Sequence, residues 1–559
     1  MSTERSDTEP LLGKQKQQQY GASTTEHSAE SSDSEITIIT STAAVPKPDD
    51  TLPSGSNIVF VLMGLWMGVF LSSLDSSIVS TILTRIGSDF NRYNDAVWVA
   101  TSYLISYTAL QPLYGRISDA IGRKNTLLFA SSTFFIGSLL CGAAPNFWFL
   151  VAARVVAGIG GGGMNTMSSI VTSDLVSLRD RGKYQGYGNL SYALGSVIGG
   201  PLGGFITDYY NWRWTFYINL PLLFLTFYVT GVHIKNYNVK READGSFHYL
   251  SKLREVDWVG AVTLVISVAL FMLATSLGGN SLPWSHPLVI GSLSGSAAGV
   301  ILFTVVEAKY AKYPIMPWHI ITQRTPLASS FTNFWSLMCS MSLVFLVPLY
   351  FQSILGFSAS KAGVYMLPKI LASSAGSLIA GYYMSHTGRY KGFCICSGIS
   401  LILGAAIITS WTPQSSAWWM ALGNILDGYA LGSLLTTTLV SLLAAVEVKD
   451  SATIISISYL FRTTGGVLGV STCQGVFQAV LKTQLVEKVK VPNAAEIIDA
   501  VRKSVSVIWE LPEDVREMVL EAYLIAIKYA FSLTIVFAVL ALVSVSFVER
   551  LELTTKVRK

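Results

Sequence analysis

Fourteen long apolar runs follow one another between residues 57 and 548, and no other feature limits the possible folds of this chain so strongly. They lie at about 57–83, 96–114, 126–144, 147–171, 184–208, 214–234, 256–277, 286–306, 328–354, 362–385, 393–411, 417–444, 452–480 and 523–548. A helix needs roughly 20 mostly apolar residues to cross a hydrocarbon core ~30 Å thick. Backbone groups in lipid must find partners within their own segment, so runs of this length predict helices. Only 13% of the 559 residues are charged and 51% are hydrophobic, whereas an average soluble protein carries about 25% charged residues. That leaves too few charges to cover a soluble globule. The expected fold class is an all-α polytopic membrane protein with fourteen transmembrane helices.

The basic residues of the short loops set an orientation. Alternate loops hold Arg116, Arg123, Lys124; Arg179, Arg181, Lys183; Lys235, Lys240, Arg241, Lys252, Arg254; Lys309, Lys312, Arg324; Arg389, Lys391; and Lys449. The other short loops hold Arg85, Arg92, Arg213 and Lys361, which makes seventeen against four. Basic loops stay cytosolic, so both termini are expected there, and Arg550, Lys556, Arg558 and Lys559 of the tail 549–559 agree. Residues 1–56 are rich in Ser, Thr, Gln and Glu and almost free of aromatics. Such a segment cannot bury enough apolar surface to fold and is read as a disordered cytosolic tail. The first span then serves as the targeting signal, with no cleavable signal peptide. On the opposite side the loop 482–522 is long and mixed in charge. Within it Ile497, Ile498, Val501, Val505 and Ile508 recur at helical spacing and predict an amphipathic helix over 494–509, capping the outer face.

Several function classes drop out. A net charge of +5 is too mild to suggest nucleic acid. The five cysteines, Cys141, Cys339, Cys394, Cys396 and Cys473, fall in or beside apolar runs with no CxxC spacing, and read as small apolar residues. His233, His248, His286, His319 and His386 lie at loops or span ends without ligand spacing. The sequence carries no catalytic triad, zinc motif or phosphate loop, and Gly160–Gly163 is a glycine run inside a span. Neither enzyme activity nor a cofactor or metal is expected.

Ionisable residues inside spans are functional candidates by default, because charge is expensive in lipid. Asp75 lies about two-thirds along the first span in Leu74-Asp75-Ser76-Ser77-Ile78-Val79, and Arg154 lies early in the fourth. The plainer reading of Arg154 is a side chain that snorkels to the span end. Asp427 sits near the middle of the twelfth span beside Asn424, and Arg462 sits about ten residues into the thirteenth. The plainer reading of Asp427 and Arg462 is a structural pair. Lys369 in the tenth span is similar but closer to an end.

The loop after the second span reads Gly115-Arg-Ile-Ser-Asp119-Ala-Ile-Gly122-Arg123-Lys124. Two glycines there make a tight turn, and the acid can pair with the flanking bases. The fifth span carries Gly195, Gly199, Gly200, Pro201, Gly203 and Gly204. Glycines at four-residue spacing let helices approach closely, and Pro201 adds a kink. Next come Asn211-Trp212-Arg213-Trp214-Thr-Phe216-Tyr-Ile-Asn219-Leu-Pro221.

These motifs resemble the major facilitator superfamily, and in particular its fourteen-helix drug:proton antiporter branch, over essentially all of residues 57–548. The resemblance implies a six-helix bundle at 57–234, a linker with two extra spans at 235–327, and a second six-helix bundle at 328–548. It makes Gly115, Asp119, Gly122 and Arg123 a conformational latch between the halves. It makes Gly195 to Gly204 the antiporter motif and links Arg154 to proton transfer. Ser77 departs from the threonine usual after this aspartate but keeps the hydroxyl.

In the N-terminal tail an acid four residues before a leucine pair, Asp7 before Leu11 and Leu12, resembles a dileucine sorting signal read by an adaptor for vacuoles and lysosomes. Together with residues 161–175 it is similar to the fungal vacuolar basic amino acid transporters. The function so implied is proton-coupled antiport of lysine, arginine or histidine from cytosol to vacuole, by a monomer. Asp75, Arg154 and Asp427 would couple protons, and Asp75, Asp427, Asn424 and Arg462 would bind substrate. A plasma-membrane exporter of drugs or organic cations is the alternative. A nutrient sensor that no longer transports is a third reading.

Overall fold

The computed structural model describes residues 55–92, 95–234, 257–278, 283–311, 314–491, 493–503 and 505–553. The expectations for the N-terminal tail with Asp7, Leu11 and Leu12, for the loop 235–256 and for the tail end 554–559 lie outside the described residues. The helices are α1 (Gly55–Asp89), α2 (Val97–Ala109), α3 (Gln111–Ile121), α4 (Arg123–Gly142), α5 (Phe147–Leu175), α6 (Arg181–Tyr209), α7 (Trp214–Tyr217), α8 (Asn219–His233), α9 (Trp258–Leu277) and α10 (Pro287–Lys309). They continue as α11 (Trp318–Ile321), α12 (Arg324–Ser353), α13 (Ala359–Thr387), α14 (Lys391–Thr409), α15 (Ala417–Ala445), α16 (Ser451–Lys488), α17 (Ala494–Lys503) and α18 (Glu513–Ser546).

Among the described residues, 13 segments are long and apolar enough to cross a membrane. The remaining expected span, 96–114, is broken at Leu110 into α2 and α3, each too short to cross alone. Pro112 is the physical cause: it has no N–H to bond the carbonyl four residues back. Stacked end to end, α2 and α3 run from 97 to 121, long enough to span at 1.5 Å per residue. The expected loop 482–522 is shorter than the sequence suggested, because α16 runs on to Lys488 and α18 begins at Glu513. The amphipathic helix forms as α17, followed by a 3₁₀ turn at Val505–Glu510. Val501 and Ile508 are buried, and Ile497 and Ile498 pack on the core.

Packing falls into two groups. In the first, α1 packs on α5, α6 and α8, α2 packs on α5, and α4 packs on α5 and α8. In the second, α12 packs on α15, α16 and α18, α13 on α15, and α14 on α15 and α18. The two groups repeat one another in detail. Helices α5 and α15 are both 29 residues long, both capped by a side chain (Asn146, Ser416), and both end on an extended valine (Val176, Val446). Close approach of α6 to α1 depends on Gly195 and Gly199, where a Cβ would meet the carbonyls of Phe70 and Leu74. Gly465 and Gly469 do the same for α16 against the carbonyls of Phe334 and Met338 of α12.

The two groups are joined directly at the end of the molecule that carries Arg116, Arg179 and Arg389, here termed the basic end. Arg179 donates to the carbonyls of Ser385 and His386. The Tyr187 and Tyr382 hydroxyls bond at 2.6 Å, and Asn189 donates to Ser377 at 2.8 Å. A Cβ on Gly182 or Gly381 would strike the opposing helix, so α6 and α13 touch backbone to backbone.

Candidate functional site

The first bundle closes around an ion pair. Arg154 Nη1 donates to Asp75 Oδ2 at 2.6 Å, and the two side chains are 1% and 2% exposed. Arg154 therefore does not snorkel. Its Nε donates to the Val99 carbonyl at 3.2 Å, and its guanidinium lies 4.1 Å from the Tyr103 ring centroid. Asn219 donates to Asp75 Oδ1 at 3.2 Å, and Phe216 flanks Arg154 at 5.7 Å. The aromatic string 211–221 thus serves this pair. Trp212 and Arg213 reach Asp89 at 3.0 and 3.3 Å and tie the string to the end of α1. Phe216 and Asn219 then complete the surroundings of Arg154 and Asp75.

The second bundle holds a second pair, with a partner the sequence ranked low. Asp427 is buried, and its Oδ2 accepts from Lys369 Nζ at 2.6 Å and from Ser340 Oγ at 3.1 Å. Lys369 also donates to the Ser340 carbonyl at 2.8 Å. Gly428 brings α15 against the Lys369 backbone, and Gly404 brings α14 against that of Asp427. The Asp427–Arg462 pair, the plainer reading of these two residues, does not form. Arg462 instead donates to the Leu435 carbonyl at 2.8 Å, eight residues further along α15, and stacks 5.1 Å from the Tyr459 ring centroid. Asn424 donates to the Tyr365 carbonyl at 3.4 Å, which fixes its amide. Asn424 Oδ1 and Asp427 Oδ1 accept no hydrogen bond in the structure.

Polar side chains also gather where the bundles meet. Ser169 of α5 bonds the Tyr459 hydroxyl of α16 at 2.7 Å, and Asn165 donates to Tyr107 at 2.6 Å. At the basic end the motif 115–124 makes the expected acid–base pairing but not the expected two-glycine turn, because Gly115 lies inside α3 and only Gly122, between α3 and α4, makes the turn. Arg123 bonds Asp119 at 2.6 Å and Asp174 at 2.9 Å. Gly122 has φ +98°, the region that glycine tolerates best. A Cβ on Gly115 would strike Ala452 and Ser456 of α16, so this helix touches the second bundle. Asp180, between α5 and α6, accepts from Ser385 at 2.7 Å and from Ser177 at 2.8 Å. Partial burial works against its charge, but those hydrogen bonds outweigh it and hold the carboxyl below its ordinary value.

Of the glycine motif, Gly195, Gly199 and Gly203 face α1, whereas Gly204 has nothing near its Cβ position and Pro201 is exposed. Sequence reasoning found Asp75, Arg154 and Asp427 as charges inside apolar spans. It underweighted Lys369, which carried the same signal, and gave no role to Asn219, Tyr103 or Ser340.

The Major Facilitator Superfamily model matches residues 65–470. Similar proteins include "Vacuolar membrane amino acid uptake transporter fnx2" of Schizosaccharomyces pombe, 39% identical over 474 residues, covering 84% of this chain and 81% of that one. "Multidrug resistance protein fnx1" of the same yeast is 36% identical over 482 residues, covering 86% and 90%. "Vacuolar basic amino acid transporter 1" of Saccharomyces cerevisiae is 34% identical over 447 residues, covering 74% and 76%. The helical fold, the buried charges within its spans and these matches give one conclusion: the chain belongs to the Major Facilitator Superfamily and is a membrane transporter.

Proposed function

We propose that the protein exchanges protons for basic amino acids across the vacuolar membrane, carrying lysine, arginine or histidine into the lumen. The observation that carries this reading is the Asp75–Arg154 pair, 2.6 Å apart and buried inside the membrane region. An arginine keeps its charge throughout. The carboxylate is the partner that can take a proton, and protonation of Asp75 removes the charge that holds Arg154. Arg154 is then free to move relative to α1, which couples proton binding to helix movement. Asp427 offers a second carboxylate, held by Lys369.

The basic end faces the cytosol in this reading, by the distribution of lysine and arginine over the loops. The contacts of α6 with α13 and of α3 with α16 then seal the cytosolic side, and Gly115, Asp119, Gly122 and Arg123 act as the latch. Rocking of the bundles against each other around a site between them breaks that seal and so alternates access. The vacuolar destination and the substrate class draw on two similar proteins, the vacuolar amino acid uptake transporter of Schizosaccharomyces pombe and the vacuolar basic amino acid transporter of Saccharomyces cerevisiae. An adaptor reading Asp7, Leu11 and Leu12 would deliver the protein there.

Purified protein in lipid vesicles with an imposed pH gradient tests the reading. Radiolabelled lysine should accumulate against its gradient in the acidic compartment. A second reading, export of organic cations, is favoured by the name of the fnx1 relative. Gradient-driven accumulation of an organic dye cation, with none of lysine, arginine or histidine, would replace the first reading by the second.

A further inference from the structure

Three buried cations, Arg154, Lys369 and Arg462, lie at least seven residues inside their helices. Two have a carboxylate at 2.6 Å. Arg462 has none among the described residues. It is 6% exposed, one N–H goes to the Leu435 carbonyl at 2.8 Å, and its Nε donates to nothing. A guanidinium has five N–H donors in a flat fork that matches a carboxylate. A charge left without a counter-ion inside a membrane protein is costly and marks a functional position.

The position is telling. Arg462 lies three residues after Tyr459, its stacking partner, whose hydroxyl crosses to Ser169 in the other bundle at 2.7 Å. The seam between α3 and α16 on the same side holds Gln111, fully buried, with neither amide atom hydrogen-bonded. Leu113 of α3 and Leu460 of α16 share one apolar cluster, which fixes this stretch of the seam beside residues 459–462. Asp75 and Asp427 are already neutralised by internal cations, so the unmatched charge at the bundle interface is positive.

We propose that Arg462 is the receptor for the α-carboxylate of the substrate, and so restricts the carrier to amino acids. This rests on the reading that the substrate is a basic amino acid, and it names the group that reads the end common to lysine, arginine and histidine. The carboxylate supplies the missing counter-charge, and binding discharges the penalty that the empty site carries. Cations of the same shape without a carboxylate leave Arg462 unpaired and bind weakly.

The test compares lysine with lysinamide, which keeps both amines and lacks the carboxylate, in binding to purified full-length protein. A charge-assisted hydrogen bond makes the wild-type preference for lysine about 10- to 100-fold. Arg462→Gln should lower lysine affinity by about that factor, to the level of lysinamide, and leave lysinamide binding unchanged. The melting temperature of the variant should not fall, because no ion pair is broken. Equal wild-type affinity for the two ligands overturns the proposal without needing any variant. So does a variant that weakens both ligands alike and melts lower, which assigns Arg462 a structural role. Wild-type protein that binds an organic dye cation but neither lysine nor lysinamide overturns the substrate reading, and this proposal with it.

Discussion

Replacing Asp75 by Asn removes one charge and keeps the shape, and the structure sets the cost. As a lone carboxylate in a span, Asp75 would be replaced by Asn with near-normal expression. The geometry revises that expectation, because Arg154 at 2.6 Å would be left buried with no counter-charge. Breaking one partner of a buried pair costs about 3–5 kcal/mol. Arg154 keeps its bond to the Val99 carbonyl and its stacking on Tyr103, which softens the loss without cancelling it. Arg154→Gln should cost a similar amount by stranding Asp75. The double variant removes both charges and should recover most of the loss, since exchanging a buried pair for neutral groups is often close to neutral. The assay is thermal unfolding of the three purified variants in detergent beside wild type. An Asp75→Asn protein that melts with wild type, or a double variant as low as the two singles combined, refutes the account of this pair.

Lys369→Met strands Asp427 in the same way and should cost about 3–5 kcal/mol in the same melts, with Asp427→Asn/Lys369→Met recovering most of it. Gly199→Ala forces a methyl onto Ser77 and the Leu74 carbonyl of α1 and should cost about 1–3 kcal/mol. Gly204→Ala, with open space at its Cβ position, should leave both the melt and the transport rate unchanged. Asp180 lies below its ordinary value when folded, so its contribution is complete above about pH 4 and fades only as pH falls further. Asp180→Asn should therefore leave the shape of the uptake-versus-pH profile unchanged between about pH 5 and 8. Leu11→Ala with Leu12→Ala should move a tagged protein from the vacuolar membrane to the cell surface, as seen by fluorescence microscopy, without changing its melt.

The spans and both buried aspartates were readable because lipid imposes a strong rule: long apolar runs, with charge inside them only for a reason. What the rule does not encode is which charge meets which. Asp427 and Arg462 sit on adjacent spans at plausible depths, yet Asp427 turns to Lys369. That choice depends on helix rotation, set by Gly428 against the Lys369 backbone and Gly404 against that of Asp427. Lys369 carries less weight in the sequence because it lies closer to a span end, yet position along a span says nothing about the direction of a long side chain. The break at Leu110 followed from Pro112, although Pro201, Pro348 and Pro368 sit inside continuous helices. Tertiary packing decides which proline breaks a helix. The glycine pair of α6 stood out in the sequence, while its counterpart Gly465 and Gly469 in α16 did not, because no recognised motif surrounds it.

Proton exchange for lysine is tested most directly by watching the proton. Protein in vesicles loaded with a pH-sensitive dye and made acidic inside should raise the internal pH when lysine is added outside, in proportion to the lysine taken up. The Asp75→Asn/Arg154→Gln protein, once its melt shows that it is folded, should take up lysine without that pH change or not at all. Lysine uptake by wild-type protein with no movement of internal pH, or an unaltered pH response in the double variant, contradicts the central claim.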